Sequence, residues 1–278
     1  MWQHLPEKLN PIAFHLGSIQ ISWYGLMYLI AFAVVYFLVR YRIRTEKINI
    51  SFETVQDFFP WAIVGMLLGA RLGDALIYDW GYFQNHLSQI FLPFDIHNHW
   101  QYIGIYGMSY FGGLVGIVIA FYIFCKIRKI PLLEFSDLFV PAVPLAYAFG
   151  RLGNFLNGEL YGRVTTKFWG MYFPLDILSQ LRHPSQLYEF FLEGILLFVI
   201  LWSIKKSPFV KGGSRGILTA LYLIGYGLAR FLAEFFRQPD NNWFFLSLTI
   251  GQWFSVGVII LGILILQTNK TKTIIMQH

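Results

Sequence analysis

Arg230, Glu234 and Arg237 recur every three or four residues in GYGLARFLAEFFRQPD, the run from Gly225 to Asp240, and Tyr226 extends the same stripe. On a helix such spacing stacks side chains on one face, and Pro239 marks where the helix should stop. Arg230 and Glu234 have the spacing of an ion pair, yet two arginines against one glutamate leave positive charge for an anion. A second run, GRLGNFLNGELYGR from Gly150 to Arg163, sets Arg151, Asn154 and Asn157 three apart. Gly158 is placed to end that helix and turn Glu159 back toward the same face. One cation, two amides and a carboxylate exceed what a helix cap requires. The third run, HPSQLYE from His183 to Glu189, admits two readings that the residues leave even. It is a helix start with Pro184 in the first turn, or it carries a catalytic His183.

These clusters need a scaffold, and composition says which kind. Of 278 residues, 56% are hydrophobic and 13% charged, more apolar surface than one soluble core can bury. Crossing roughly 30 Å of hydrocarbon takes about 20 apolar residues. Windows of that size predict about seven spans, near 18–39, 55–78, 108–126, 133–153, 186–204, 216–236 and 248–267. The expected fold is an all-α polytopic membrane protein, one transmembrane domain over 1–278 with small outward-facing segments. The first twenty residues lack the features of a removable signal peptide, so the first span is expected to stay.

Basic residues crowd alternate connections: Arg40 to Lys47, Lys126 to Lys129, Lys205 to Arg215, and Lys270 with Lys272. The opposite connections hold Lys8, Arg163, Lys167, Arg182 and Arg237. The positive-inside rule then puts the amino terminus outside and the carboxyl terminus in the cytoplasm, and sorting by loop argues against a nucleic-acid partner. With that orientation the intramembrane polar residues, Arg71, Asp74, Arg151, Asn154, Glu189, Glu193, Arg230 and Glu234, fall in the outer leaflet. An arginine at mid-membrane costs roughly 2.5 to 3.5 kcal/mol, so such residues are candidates for function. Arg71 and Asp74, at i and i+3, read as a structural ion pair.

Cys125 is the sole cysteine, which excludes an internal disulfide and multi-cysteine metal sites. His86, His97 and His99 lie in one outer segment, but without a third ligand at standard spacing they do not make a metal site. Phe91, Phe94, Trp100 and Tyr102 suit a segment in the membrane interface. Tyr24 reads by position as an interfacial aromatic. With no nucleotide loop, metal motif or haem site, no cofactor is expected.

Taken together, GRLGNFLNGELYGR, HPSQLYE and YGLARFLAEFFRQPD resemble the bacterial prolipoprotein diacylglyceryl transferase family, and WYGLMY (Trp23 to Tyr28) and MSYFGGLVG (Met108 to Gly116) add to the match. The resemblance runs over nearly the whole chain in the family's order. It implies a bacterial inner-membrane enzyme of lipoprotein biosynthesis. Such an enzyme transfers diacylglycerol from phosphatidylglycerol to the lipobox cysteine beside a prolipoprotein signal peptide, forming a thioether and releasing glycerol phosphate. By the same resemblance Arg151 and Arg230 hold the headgroup, Asn154 and Glu159 order the site, and Glu234 orients Arg230. Tyr24 and Tyr226 would wall it, and Asn157, Arg237, Gly112 and Gly113 join the substrate-binding set. One position departs: many members carry histidine before the paired glycines, proposed as the base for the thiol, and here it is Phe111. Either nearby arginines depress the thiol pKa, the favoured option, or His183 or Glu159 takes the proton. The rivals are a transporter, disfavoured by one-leaflet polarity and the absence of internal repeats, and a catalytically inactive lipid-binding relative.

Overall fold

The apolar windows form helices because in hydrocarbon each backbone N–H and C=O must find a partner within its own segment. The computed structural model describes residues 2–17, 19–46, 48–92, 94–95, 101–102, 107–206, 215–239 and 244–275. Its helices are α1 (Trp23–Glu46), α2 (Phe52–Gly73), α3 (Tyr110–Arg128), α4 (Leu132–Phe139), α5 (Val143–Leu156), α6 (Ser185–Ile204), α7 (Ile217–Ala233) and α8 (Ile250–Ile275). Among the described residues five are long and apolar enough to cross a membrane, α2 counted with its continuation to Tyr78. The pair α4 and α5 qualifies together, bent by 55° at its break. The window expected near 216–236 yields only the 17 residues of α7, about 25 Å of helix. It stops at Ala233 because the chain turns through Glu234 to Phe236 ahead of Pro239.

Two further differences from the expected all-α pattern have local causes. Ile12–Leu16 and Ile19–Ser22 pair as an antiparallel hairpin, β1 and β2, so the first span starts at Trp23 and not near residue 18. Short pairings also join Phe94–Asp95 (β3) to Gln101–Tyr102 (β4) and Phe244–Phe245 (β5) to Leu248–Thr249 (β6). Within α6 the stretch Phe190–Leu196 widens to a π-helix, and Asp74–Tyr78 continues α2 in the same way. Such widened turns recur at functional positions because they re-aim side chains.

The chain forms two compact units, residues 48–135 and the remainder. In the first, α2 and α3 meet along a seam of small residues. A Cβ on Gly69 would fall 2.3 Å from the Gly112 carbonyl oxygen, and one on Gly116 would fall 2.0 Å from that of Gly65. Backbones this close gain van der Waals contact that larger residues would prevent. Both helices begin on a serine cap: Ser51 accepts from the Thr54 N–H (3.2 Å) and Ser109 from the Gly112 N–H (3.1 Å). Arg71 fixes the segment after α2 by donating to the carbonyls of Ile90 (2.7 Å), Gln89 (2.8 Å) and Gly107 (3.3 Å). Asp74 lies 3.6 Å from it, as the ion-pair reading expects. His86 stacks on Tyr82 and reaches the Tyr82 carbonyl, and among the described residues no three His, Cys, Asp or Glu side chains gather. His97, His99 and Trp100 lie outside the described residues.

In the second unit α1 packs on α5, α5 on α6, and α7 on α8. Far from the polar runs named above, Arg42 near the end of α1 donates to the carbonyls of Asp137 (2.6 Å) and Leu138 (2.7 Å) and pairs with Glu46 (2.8 Å). Asp137 in turn caps α7, accepting from the N–H groups of Gly216 and Thr219 at 2.7 Å. That ties the helix ends together around the bend.

The glycine seam predicts a steric result. Gly69→Leu should lower the unfolding midpoint in detergent and the folded yield, by about 1 to 3 kcal/mol of overpacking or more, whereas Gly150→Ala should not destabilise, since among the described residues nothing lies within 4 Å of a Cβ there. Equal thermal stability of Gly69→Leu and the parent would refute close packing at this seam.

Candidate functional site

Three arginines meet at the ends of α5, α6 and α7, within the second unit. Arg151 projects from α5, where its Nε lies 2.6 Å from the Tyr147 hydroxyl and 2.8 Å from Glu189 Oε2, and its Nη1 donates to Asn154 Oδ1 at 3.1 Å. The next link is local: Asn154 Nδ2 donates to Glu159 Oε1 at 2.9 Å. This contact exists because α5 ends at Leu156 and Gly158, at φ +69°, reverses the chain so that the Glu159 N–H reaches the Asn154 carbonyl. A left-handed residue here is what glycine permits at little cost. Gln186, at the start of α6, donates its amide to the Glu159 carbonyl and anchors the turn from the other side.

Arg230 comes from α7. Its Nη2 donates to Glu234 Oε2 (3.0 Å), one turn on, and Thr249 donates to the other oxygen of that carboxylate (3.0 Å). Its Nη1 lies 3.4 Å from Glu189 Oε2 and 3.8 Å from Glu193 Oε1, yet makes no hydrogen bond among the described residues. Arg237 completes the cluster, 3.9 Å from both Glu189 Oε1 and Glu234 Oε2. Glu189 is 1% exposed and Glu193 is fully buried, so their charges are compensated within the cluster.

This arrangement revises one expectation and supports others. The excess of positive charge read from Arg230, Glu234 and Arg237 is not there: Glu189 and Glu193 enter from α6 and nominally balance the arginines. What stays unbalanced is donor capacity, since each guanidinium carries five N–H groups in a fixed fork. Glu234 does hold Arg230, and Glu159 does fold back onto Asn154. Asn157 caps α5 through its N–H, and its side-chain oxygen is buried without a hydrogen bond among the described residues. Tyr226 sets its ring edge-on to Tyr147 at 5.9 Å. The Tyr24 ring lies against Gly153, and its hydroxyl is 3.0 Å from that of Tyr28. Gly112 and Gly113 belong to the other unit, where Gly112 packs in the α2–α3 seam, and the Phe111 side chain there is half exposed.

The chain matches the family model for prolipoprotein diacylglyceryl transferase over residues 11–268. It is 48% identical to the phosphatidylglycerol–prolipoprotein diacylglyceryl transferase of Chlorobaculum tepidum over 274 residues, 98% of this chain and 93% of that protein. The enzymes of the same name from Helicobacter pylori strain J99 and Legionella pneumophila strain Lens are 42% and 43% identical, covering 98% and 92% of this chain and 98% and 95% of their own. The chain belongs to the prolipoprotein diacylglyceryl transferase family.

Around this family's motif residues the structure adds parts that spacing did not reveal. Tyr147 sits one turn before Arg151, a signal present in the sequence at i and i+4. Glu189 and Glu193 are distant in sequence from the arginines they meet, and Thr249 from Glu234, so no spacing rule links them. The extramembrane segment between α5 and α6 has its own framework. Asp176 and Arg182 are buried against each other through two hydrogen bonds, 2.8 and 2.9 Å, and Arg182 Nη1 reaches Gln238 at 2.6 Å. Gly162 pairs with Arg237 so tightly that a Cβ would fall 2.3 Å from the Phe236 carbonyl oxygen. His183 forms one edge of this framework: its Nδ1 is 3.0 Å from the Tyr188 hydroxyl and its ring packs edge-on to Phe236. Burial, with the Lys167 charge, lowers its pKa below the usual histidine value, so it is neutral at pH 7. Residues of this segment and of the turn after α7 line a cavity of about 320 Å³: Glu159, Leu160, Tyr161, Leu175, Arg237, Gln238 and Pro239.

Arg182 and backbone N–H groups hold the Asp176 carboxyl below its ordinary value. A depressed carboxyl stabilises the fold above its unfolded pKa, about 3.9, and that stability is lost as pH falls through the lower folded value. Asp176→Asn should therefore lower stability at pH 7, by about 1 to 3 kcal/mol for the charge-assisted hydrogen bonds weakened, and should flatten the acid side of the stability profile. Unfolding midpoints of both proteins at pH 7 and pH 3 check this. An unchanged loss on acidification would remove Asp176 from the clamp.

Proposed function

We propose that this chain transfers the diacylglyceryl group of phosphatidylglycerol to the thiol of a prolipoprotein's lipobox cysteine, forming a thioether and releasing glycerol phosphate. It does so as a single transmembrane domain of seven spans in the bacterial cytoplasmic membrane, counting α4–α5 and the short α7 as one span each, with the amino terminus outside. The names of its relatives support the reaction, and the observation that carries the site assignment is Arg230 Nη1. It is a nearly buried cationic donor without a hydrogen bond among the described residues, 3.4 Å from the carboxylate oxygen that also pairs with Arg151. A phosphate oxygen entering between the two guanidiniums would meet donors from both.

The chemistry then follows by role. The thiol sulfur attacks the phosphate-bearing carbon of the diacylglycerol half of the donor, that carbon–oxygen bond breaks, and its electron pair leaves on the oxygen of glycerol phosphate. Arg151 and Arg230 hold the donor phosphate and stabilise the charge that develops on it. Glu234 orients Arg230, and Glu189 sets the separation of the two arginines. Arg237 and Asn157 border the headgroup, and Tyr24 and Tyr226 wall the site. For the thiol proton, charge balance in the cluster weakens the route through arginine field alone. Glu159 is better placed as acceptor, since it lines the cavity beside Arg237 while Asn154 fixes one of its oxygens. His183 is neutral at pH 7 but is engaged with Tyr188 and Phe236, which suits a supporting role. No cofactor enters the scheme.

The test is transfer from phosphatidylglycerol vesicles to a lipobox peptide, read as mass gain on the cysteine and release of glycerol phosphate. Arg151→Ala and Arg230→Ala should each lower turnover by at least about 10² to 10³ while remaining inserted. Wild-type turnover in either variant excludes that arginine from the mechanism. Arg71→Ala should lower yield but keep turnover per folded molecule, and normal abundance with no turnover would reverse its structural assignment.

A further inference from the structure

The segment from 157 to 184 reverses the usual placement of polarity. Its charged pair Asp176 and Arg182 is buried, whereas Leu175, Ile177 and Leu178 are 59%, 97% and 68% exposed. A non-helical connection that carries Lys167, Asp176 and Arg182 belongs outside the hydrocarbon, which is crossed by continuous helices. The apolar tip therefore stands outside the hydrocarbon at a cost in exposed surface. It is also firmly mounted. Asp176 accepts from the N–H of Gln180 (3.0 Å), and Tyr161 donates to the Leu175 carbonyl (3.4 Å) and stacks on Phe173. Exposed apolar side chains on a rigid mount are built to meet something.

Where the tip leads decides what it meets. Leu175 lines the cavity that Glu159 and Arg237 also line, so tip and cavity are continuous with the arginine cluster inside one compact unit. A lipid headgroup does not account for the tip, because Leu175, Ile177 and Leu178 offer it no polar side chain. A membrane anchor is disfavoured too: the tip, Leu175 to Ser179, has none of the basic, tryptophan or tyrosine residues that favour the interface. A peptide fits both parts, with apolar side chains against Leu160, Leu175 and Pro239 and backbone amides facing Gln238 and Glu159.

We infer that Leu175, Ile177 and Leu178, with the adjoining cavity, bind the acceptor protein as an extended chain, seating the residues that follow the modified cysteine. This rests on reading the arginine cluster as the transfer site and names how its second substrate is held. The acceptor's apolar stretch precedes the cysteine and belongs in the membrane, so a surface outside the hydrocarbon meets what comes after it.

The test uses the full chain carrying Ile177→Ser and Leu178→Ser together, in phosphatidylglycerol vesicles, with two synthetic acceptors. Both share the apolar stretch and cysteine; one continues beyond the cysteine and one ends there. KM for the longer acceptor should rise about tenfold, while kcat, KM for the shorter acceptor and KM for phosphatidylglycerol stay within about twofold. An unmoved KM for the longer acceptor overturns the inference. So does a raised KM for phosphatidylglycerol with both acceptors affected alike, which would assign the tip to the membrane surface. If the wild-type chain modifies neither acceptor, the transferase reading itself fails and takes this inference with it; wild-type turnover with insensitive variants defeats the inference alone.

Discussion

The buried carboxylate of Glu189 is the contact on which the rest of the site turns. One of its oxygens lies 2.8 Å from Arg151 and 3.4 Å from Arg230, and the other faces Arg237 at 3.9 Å. Guanidiniums brought this close repel one another, and each loses hydration worth several kcal/mol on burial, so the group cannot stand without an anion at its centre. That anion must come from a helix able to reach the middle of the cluster. Gly194 lets α6 approach α5 until a Cβ would fall 2.6 Å from that of Ala148, and the widened turn of Phe190–Leu196 carries Glu193 into the same space. Backbone packing and electrostatics are thus one constraint: relax the helix contact and the charges lose their partners.

A cluster whose charges nearly cancel does not attract an anion by net field. On the proposed reading it recognises one by geometry, through N–H groups that its own carboxylates cannot all occupy. Entry of a phosphate then exchanges one set of charge-assisted hydrogen bonds for another, and little is gained unless the new oxygens sit better in the guanidinium forks than Glu189 does. Such exchange favours a tetrahedral phosphodiester, which presents two free oxygens to the guanidinium forks, over a solvated carboxylate. It also keeps the arginines aligned before substrate arrives, which lowers the reorganisation needed during transfer.

How far the sequence could carry this depended on the range of each interaction. Contacts within one helical turn were legible: Arg230 with Glu234, Arg71 with Asp74, and the return of Glu159 past Gly158. Long apolar helices were legible too, because hydrocarbon demands them. The partnership of Glu189 with Arg151 was not, for it depends on how α5 and α6 approach, and the charge surplus read from α7 alone failed for that reason. The short α7, the hairpin before α1 and the Asp176–Arg182 framework were missed on similar grounds. Each is set by where the chain must turn to satisfy other segments.

Saturation of donors separates the arginines whose nitrogens are all engaged from Arg230, which is proposed to hold a ligand. Arg42 directs Nε, Nη1 and Nη2 at the Glu46 carboxylate and two carbonyls beside the α4–α5 bend, and Arg182 spends the same three nitrogens on Asp176 and Gln238. Both are as buried as Arg230, yet neither has a nitrogen left over. Buried polar groups are almost always paired, so an exception needs a cause. Burial alone would have ranked these side chains together; counting what each nitrogen touches sets Arg230 apart. Its Nη1 lies within the field of two carboxylates but bonded to neither, which is the state expected of a donor kept in place by charge and reserved for an oxygen that arrives with the substrate.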